Sequence, residues 1–379
     1  MSNSFLDKVF DLHRGGKIIL ASKYPVRTNE ELAMVYTPGV AQVVKAIQQD
    51  KQKAKDYTII GHTVGMFTDG TAILGLGNVG PVAGMPVMEG KAMIYQEFAG
   101  LNAYPLLLGT TDVDAIVETI KNLAPSFSLI HLEDIAAPNC FAILERLEQL
   151  LDIPVFHDDQ YGTALIVLAG LMNSLKVLKK EVADMNIVIN GAGAAGIAIA
   201  KVLNEYGLTN ITLCDSKGIV SLTRSDLNIY KKEILNLIGI ERPLGTLSDA
   251  LDQADIFIGV SVGGALNPTM IQNMNNQPII FALANPVPEI LPTELKDFDG
   301  IIATGRSDFP NQINNAVGYP GFVKAVLSSG IKKIGIHHII KAATAIAETI
   351  TEQELTRDYI IPNVFNANVV PNIVKSLAK

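Results

Sequence analysis

Only two cysteines, Cys140 and Cys214, occur in the 379 residues. That is too few for a disulfide framework or a cysteine-based zinc site, and a reducing compartment, the cytoplasm, fits best. Basic runs are also missing. Thirty Lys and Arg against 38 Asp and Glu leave a net charge of −8. This argues against a nucleic-acid partner, because phosphate contacts dominate that affinity. The start, Met1 to Lys8, lacks the apolar core of a secretory leader. The longest apolar run, within Gly162 to Met172, is shorter than a membrane span requires. The expectation is a cytoplasmic protein with no membrane partner.

What is present is apolar material. Hydrophobic residues make up 48% and charged residues 18%, enough for two ordinary cores. The first sixty residues read as helices over 3–14, 30–34 and 40–53, with a turn at Tyr36-Thr37-Pro38-Gly39. They hold few core positions, so this segment should dock on another domain or subunit. From Gly65 to Gly84, two short apolar runs, Met66-Phe67-Thr68 and Ala72-Ile73-Leu74-Gly75-Leu76, flank Asp69-Gly70 and read as a hairpin. Helices then follow at 89–100, 113–123, 137–150 and 163–179, alternating with strands at 103–108, 128–132 and 155–156. A second set has strands at 186–190, 211–214, 256–260, 279–283 and 300–304, with helices at 194–206 and 225–237. The tail from Ile331 to Lys379 reads as helical.

This alternation predicts an α/β protein. We expect an N-terminal α/β catalytic domain over 1–160. A Rossmann-type, doubly wound dinucleotide-binding domain should cover 161–379 and end in the helical tail.

Two Gly-x-Gly-x-x-Gly motifs occur. In the first, Gly75 to Gly80, Pro81, Gly84 and Pro86 follow closely and make a poor helix, so it reads as a loop near the substrate. In the second, Gly191-Ala192-Gly193-Ala194-Ala195-Gly196, a strand leads in and an Ala/Ile-rich helix leads out. A further strand ends at Asp215. That context is what a dinucleotide needs: glycines for close pyrophosphate approach, a helix N-terminus for its charge, and an acid for the ribose hydroxyls. Asp215 favours NAD, whereas Lys217 leaves NADP possible.

Glu133-Asp134 and Asp158-Asp159 both lie at presumed C-terminal strand ends, where α/β folds place their sites. Acidic pairs are commonly solvated loop charges, but two pairs in one domain suit an octahedral Mg²⁺ or Mn²⁺. Lys91 reads either as a surface charge or, beside a carboxylate, as a tuned base. Tyr36 reads as a half-buried aromatic. The histidines are scattered; His62 and His157 lack ligand spacing, and they read as structural or as groups that support site residues from behind.

Together these segments resemble malic enzyme in its short bacterial form. The resemblance rests on Tyr36 to Ala41, Gly75 to Gly80, Pro86 to Ala92, Leu132 to Ile135, Phe156 to Gln160, Gly162 to Ala164, Phe281 to Pro286 and Asn311 to Asn315. It implies that L-malate is oxidised and decarboxylated to pyruvate by NAD(P)⁺ with Mg²⁺ or Mn²⁺. On the same resemblance Lys91 is the base, with Asp158 its partner, and Tyr36 the acid. Glu133, Asp134 and Asp159 hold the metal. Asn285 and Asn315 hold the malate carboxylates, and Asn285 also borders the cofactor formed around Gly191, Gly193, Ala194, Ala195, Gly196 and Asp215. Larger relatives carry an arginine before the first glycine loop; here Thr71-Ala72-Ile73-Leu74 stands instead, so Thr71 or loop main chain is the candidate anchor. Tyr161 stands where short relatives often carry histidine. The N-terminal segment suggests a homodimer. Two other outcomes stay open: a malolactic-type decarboxylase and a non-decarboxylating 2-hydroxyacid dehydrogenase.

Overall fold

A computed structural model describes residues 3–73, 75–183, 185–295 and 298–378. The expectations attached to Leu74 and to the last residue of the tail, Lys379, lie outside the described residues.

Two mostly parallel sheets organise the chain. The first has strands β1 (Thr63–Thr68), β2 (Asn102–Leu107), β3 (Leu129–Leu132) and β4 (Val155–His157), in the order β2-β1-β3-β4, all parallel. The second has β5 (Ile187–Asn190), β6 (Ile211–Asp215), β7 (Gly218–Ile219), β8 (Ile256–Gly259), β9 (Ile279–Ala282) and β10 (Ile301–Thr304), in the order β10-β9-β8-β5-β6-β7. Only β7 is antiparallel. The strand order of the second sheet reverses between β5 and β8. In doubly wound sheets ligands bind at such a reversal, beyond the carboxyl ends of the strands.

Between the sheets runs a helix over Thr163–Leu178, every residue from Ala164 to Leu175 buried. A helix apolar on all sides belongs in a core. With the π-helical turn Asp158–Gly162 before it, the segment Asp158–Leu178 is long and apolar enough to cross a membrane, contrary to the expectation from the shorter run 162–172. Here 72% of that apolar window is buried inside the protein itself. It packs on the helices Ala194–Tyr206 and Ile336–Ala347.

The hairpin expected at Asp69-Gly70 does not form. Both edges of β1 are taken by β2 and β3, leaving no edge for a returning strand. Among the described residues the second run makes only an isolated bridge, Ile73 with Gly77. The stretch after the first glycine motif is also not a loop throughout: it is helical over Pro81–Ile94. Gly80, at φ 80, ends the loop, and Pro81 occupies the first turn, where its missing N–H costs nothing. Gly84 permits close packing, since a Cβ there would lie 2.5 Å from Ile73 Cδ1. Tertiary contact overrides the weak helix propensity. The tail is likewise not continuous. It has helices at Ile336–Ala347 and Val369–Leu377, with irregular chain between. A helix at Tyr319–Ser328 was not foreseen.

The N-terminal helices Asn29–Val35 and Val40–Gln49 bury no residue. Phe10, Leu12, Ile19, Leu20, Met34 and Val44 are among the large apolar side chains left exposed there.

Candidate active site

One cavity of about 340 Å³ lies between the carboxyl ends of the two sheets. The first half contributes Lys91, Glu133, Asp134 and Asp159, together with Ala72 and Gly75 of the glycine loop. The second contributes Ala195, Val260, Ser261, Asn285, Asn314 and Asn315. Chain reversal at strand ends brings these groups together from more than two hundred residues apart.

Lys91 sits on the helix Pro81–Ile94, directed at β3 and β4. Its ammonium is 2.8 Å from Glu133 Oε2 and in contact with Asp158 Oδ2. Burial pulls its pKa down, but Asp158 and Glu133 more than offset this, leaving it well above the ordinary lysine value. Asp158 is fully buried. Burial favours its neutral form, yet Lys91, His131 and Asn315 together hold its carboxyl below the usual range. Asn315 Nδ2 donates to Asp158 Oδ2 at 3.0 Å and to Thr163 Oγ1 at 3.1 Å.

Glu133, Asp134 and Asp159 bring one oxygen each within 4.8 Å of one another. Adjacent acids converge because the chain departs from regular geometry at both places. Asp134 is left-handed, at φ 52, and Asp159 sits in the π-turn after β4. The main-chain N–H of Asp134 donates to Asp159 Oδ2 at 2.9 Å. Asp134 Oδ2 is buried without a hydrogen-bond partner among the described residues. Burial, followed by mutual repulsion, raises Asp134 to about 9 and Asp159 to about 6. Burial raises Glu133 to about 7 although Lys91 opposes it. An all-oxygen, crowded, partly unpartnered donor set fits a hard divalent cation. A second triad, His131, Glu133 and Asp158, is equally close, but the Lys91 ammonium already supplies the cation there.

The second glycine motif follows β5, as expected. A Cβ on Gly196 would lie 1.9 Å from Gly191 O, and one on Gly191 would lie 2.5 Å from Val260 O, at the end of β8. A Cβ on Gly193 would meet nothing within 4 Å. The helix Ala194–Tyr206 starts with no side-chain cap, so its first N–H groups face open space beside Gly193. This cradle fits a pyrophosphate. Asp215 ends β6 but is not bare. Arg224 grips both oxygens, at 2.9 and 3.0 Å, and Lys231 approaches to 2.6 Å. Burial opposes ionisation, but these bonds bring Asp215 down to about 2.

Two expected residues stand apart. Tyr36 is 66% exposed and does not line the cavity. The Thr71 hydroxyl donates to Asp69 at 2.6 Å and accepts from Ala136 N–H at 2.8 Å, so its one O–H is not free to meet a carboxylate. Asn285 lines the cavity; a Cβ on Gly75 would meet its carbonyl at 2.2 Å, so the glycine loop rests on it. Two further residues at the site, Tyr95 and Tyr319, carry no expectation from the sequence, and His131 carries only that of a scattered histidine in the strand before Glu133. They are aromatic residues in apolar stretches, and only tertiary structure brings them to Lys91.

The family description "Malic enzyme, N-terminal domain" matches residues 16–148, and "Malic enzyme, NAD binding domain" matches 160–377. The chain belongs to the malic enzyme family. It is 48% identical to a bifunctional malic/malolactic enzyme of Bacillus subtilis, over 99% of this chain and 93% of that one. It is 47% identical to an NAD-dependent malic enzyme of Geobacillus stearothermophilus, over 98% and 78%. Among solved structures, an NAD-dependent malic enzyme of Thermotoga maritima superposes with a TM-score of 0.92 at 42% identity, covering 100% of this chain and 99% of the other. The architecture of this malic enzyme family member, parallel α/β halves with a Rossmann-like second sheet, agrees with the fold expected from sequence.

Proposed function

We propose that this chain catalyses the oxidative decarboxylation of L-malate to pyruvate and CO₂ with reduction of NAD⁺ or NADP⁺. The observation that carries this reading is the single cavity in which Lys91 and the three-carboxylate cluster face the dinucleotide cradle. Residues 1–160 supply the base and the metal ligands; residues 161–379 hold the cofactor and lend Asn285 and Asn315 to the malate site.

Mg²⁺ or Mn²⁺ held by Glu133, Asp134 and Asp159 would supply Lewis-acid polarisation of substrate oxygen and offset the carboxylates that keep Lys91 protonated. NAD(P)⁺ on the Gly191–Gly196 turn would supply the hydride acceptor. Lys91 Nζ first passes a proton to Asp158 Oδ2, which touches and orients it, and the freed amine then takes the malate hydroxyl proton. Asn315 keeps Asp158 in place. Asn285 offers its amide to a malate carboxylate; Asn315 joins it by exchanging its N–H bond to Thr163 for one to the substrate, keeping the bond to Asp158. Lys91 is the cavity's cation among the described residues, so it also attracts the dianion. Decarboxylation leaves an enolate of pyruvate, which Tyr36 protonates at carbon.

Because Tyr36 is exposed and outside its own cavity, a second copy of the chain supplies it. The unburied apolar faces of residues 3–60 support this homodimer. Arg224 and Lys231 around Asp215 support acceptance of NADP⁺ beside NAD⁺, since the aspartate's charge is already compensated. Two buried free thiols fit the cytoplasm. The name of the Bacillus subtilis relative favours one second reading, a malolactic side activity. Incubation with L-malate, Mn²⁺ and NAD⁺ tests the proposal: NADH and pyruvate should appear together, and lactate without net NADH would favour the second reading.

A further inference from the structure

Lys91 is not the only group that holds Glu133. His131 lies two residues earlier on β3, fully buried, with both ring nitrogens engaged. Its Nε2 is 2.7 Å from Glu133 Oε2, and its Nδ1 is 2.7 Å from the Tyr95 hydroxyl. Oε2 already accepts from the Lys91 ammonium, so it acts as an acceptor toward His131 as well. A neutral imidazole has one N–H. That proton must therefore sit on Nε2, and Nδ1 must accept from the Tyr95 O–H. The bonds run in one direction, Tyr95 to His131 to Glu133.

Both hydrogen bonds on the glutamate fall on Oε2. Oε1 receives none among the described residues, and Glu133 lines the cavity. Tyr95 is itself fully buried, in the π-turn that follows Lys91 on its helix. Tyr319, from the other half of the chain, packs edge-on against it with ring centroids 4.8 Å apart. The same Tyr319 ring lies 5.0 Å from Lys91 Nζ. A phenol and an imidazole are expensive to bury, and apolar residues of similar shape would fill this core at lower cost. Their bonds do not close among core groups; they end on a carboxylate at the cavity wall.

We propose that Tyr95 and His131 are a positioning pair that fixes Glu133 with Oε2 toward Lys91 and Oε1 toward the cavity, presetting one ligand of the metal site. The inference rests on the reading of Glu133 as a metal ligand. Groups that hydrogen-bond a metal's ligands typically change affinity by about 10- to 100-fold when removed.

The test is Mn²⁺ binding to the full chain without malate or cofactor, followed by the EPR signal of free Mn²⁺. Four proteins are compared: the parent, Tyr95→Phe, His131→Leu and His131→Gln. His131→Leu should bind Mn²⁺ about tenfold more weakly or worse, and Tyr95→Phe, one bond further from the ligand, should lose part of that affinity. His131→Gln, whose amide N–H can reach the same oxygen, should stay close to the parent. A purely structural role predicts instead that Gln and Leu at 131 behave alike. Equal Mn²⁺ affinity in the parent and Tyr95→Phe, or equal loss in both His131 variants, overturns the pair while leaving the metal site standing. If His131→Leu does not fold, Tyr95→Phe decides alone. No Mn²⁺ binding by the parent would overturn both the ligand assignment and the pair.

Discussion

Asn315 donates a hydrogen bond to Asp158 Oδ2 at 3.0 Å across 157 residues of sequence. It joins the loop that follows β10 to the end of β4, one from each sheet, at the carboxylate that touches Lys91. Replacing Asn315 with Ala leaves Lys91 as the hydrogen-bond donor to the Asp158 carboxylate among the described residues. A hydrogen bond to a charged group is worth roughly 1.5–3 kcal/mol, so kcat/KM for malate should fall about 10- to 150-fold. Steady-state kinetics on a variant with unchanged circular dichroism checks this.

The carboxylate cluster of Glu133, Asp134 and Asp159 makes a pH prediction. Asp134, held at about 9, is largely protonated near neutrality in the metal-free chain, and Glu133, at about 7, is partly so. A cation must displace those protons, so binding releases them and strengthens as pH rises. The metal-free chain behaves oppositely. A carboxyl raised above its unfolded value contributes stability that is fully present below about pH 4 and lost as pH climbs through the folded pKa. Mn²⁺ should therefore raise the melting temperature more at pH 8 than at pH 6. Equal increments at both pH values would count against the assignment.

The glycine cradle separates folding from binding. Gly196→Ala places a methyl 1.9 Å from Gly191 O, so both melting temperature and cofactor affinity should drop. Gly193→Ala meets nothing in the chain itself, and φ −101 suits alanine. That variant should melt like the parent yet bind NAD⁺ poorly, because its methyl occupies the pyrophosphate's room. Calorimetric melting with cofactor titration distinguishes the two.

Much of this site was legible from residue order alone. The carboxylate pairs and the second glycine motif each follow a β-type run, and strand ends are where α/β folds concentrate chemistry. The hairpin reading failed for a tertiary reason: alternating apolar residues around Asp69-Gly70 say nothing about whether β1 has a free edge. The helix at Pro81–Ile94 was hidden because Gly84 and Pro86 are poor helix formers, and only the folded chain shows Ile73 packed against Gly84. Tyr95 and Tyr319 carried no signal, and His131 only that of a scattered histidine. Their spacing of 36 and 188 residues has no local periodicity, and only burial next to Lys91 gives them meaning.

Tyr36 carries a prediction about assembly. Tyr36→Phe and Lys91→Ala should each be nearly inactive as pure proteins. Mixed and refolded together, they should recover activity, because a hybrid dimer holds one site with both residues intact when the tyrosine crosses over. A mixture as inactive as its components would place Tyr36 in its own chain's site.

The central claim is that oxidation and decarboxylation occur together in this cavity. The most direct measurement follows L-malate labelled with ¹³C at the carboxyl next to the methylene, with Mn²⁺ and NAD⁺, by NMR alongside NADH absorbance. The account predicts labelled CO₂ and bicarbonate, unlabelled pyruvate and NADH in equal amounts. Labelled oxaloacetate accumulating with NADH, and no labelled CO₂, would contradict it.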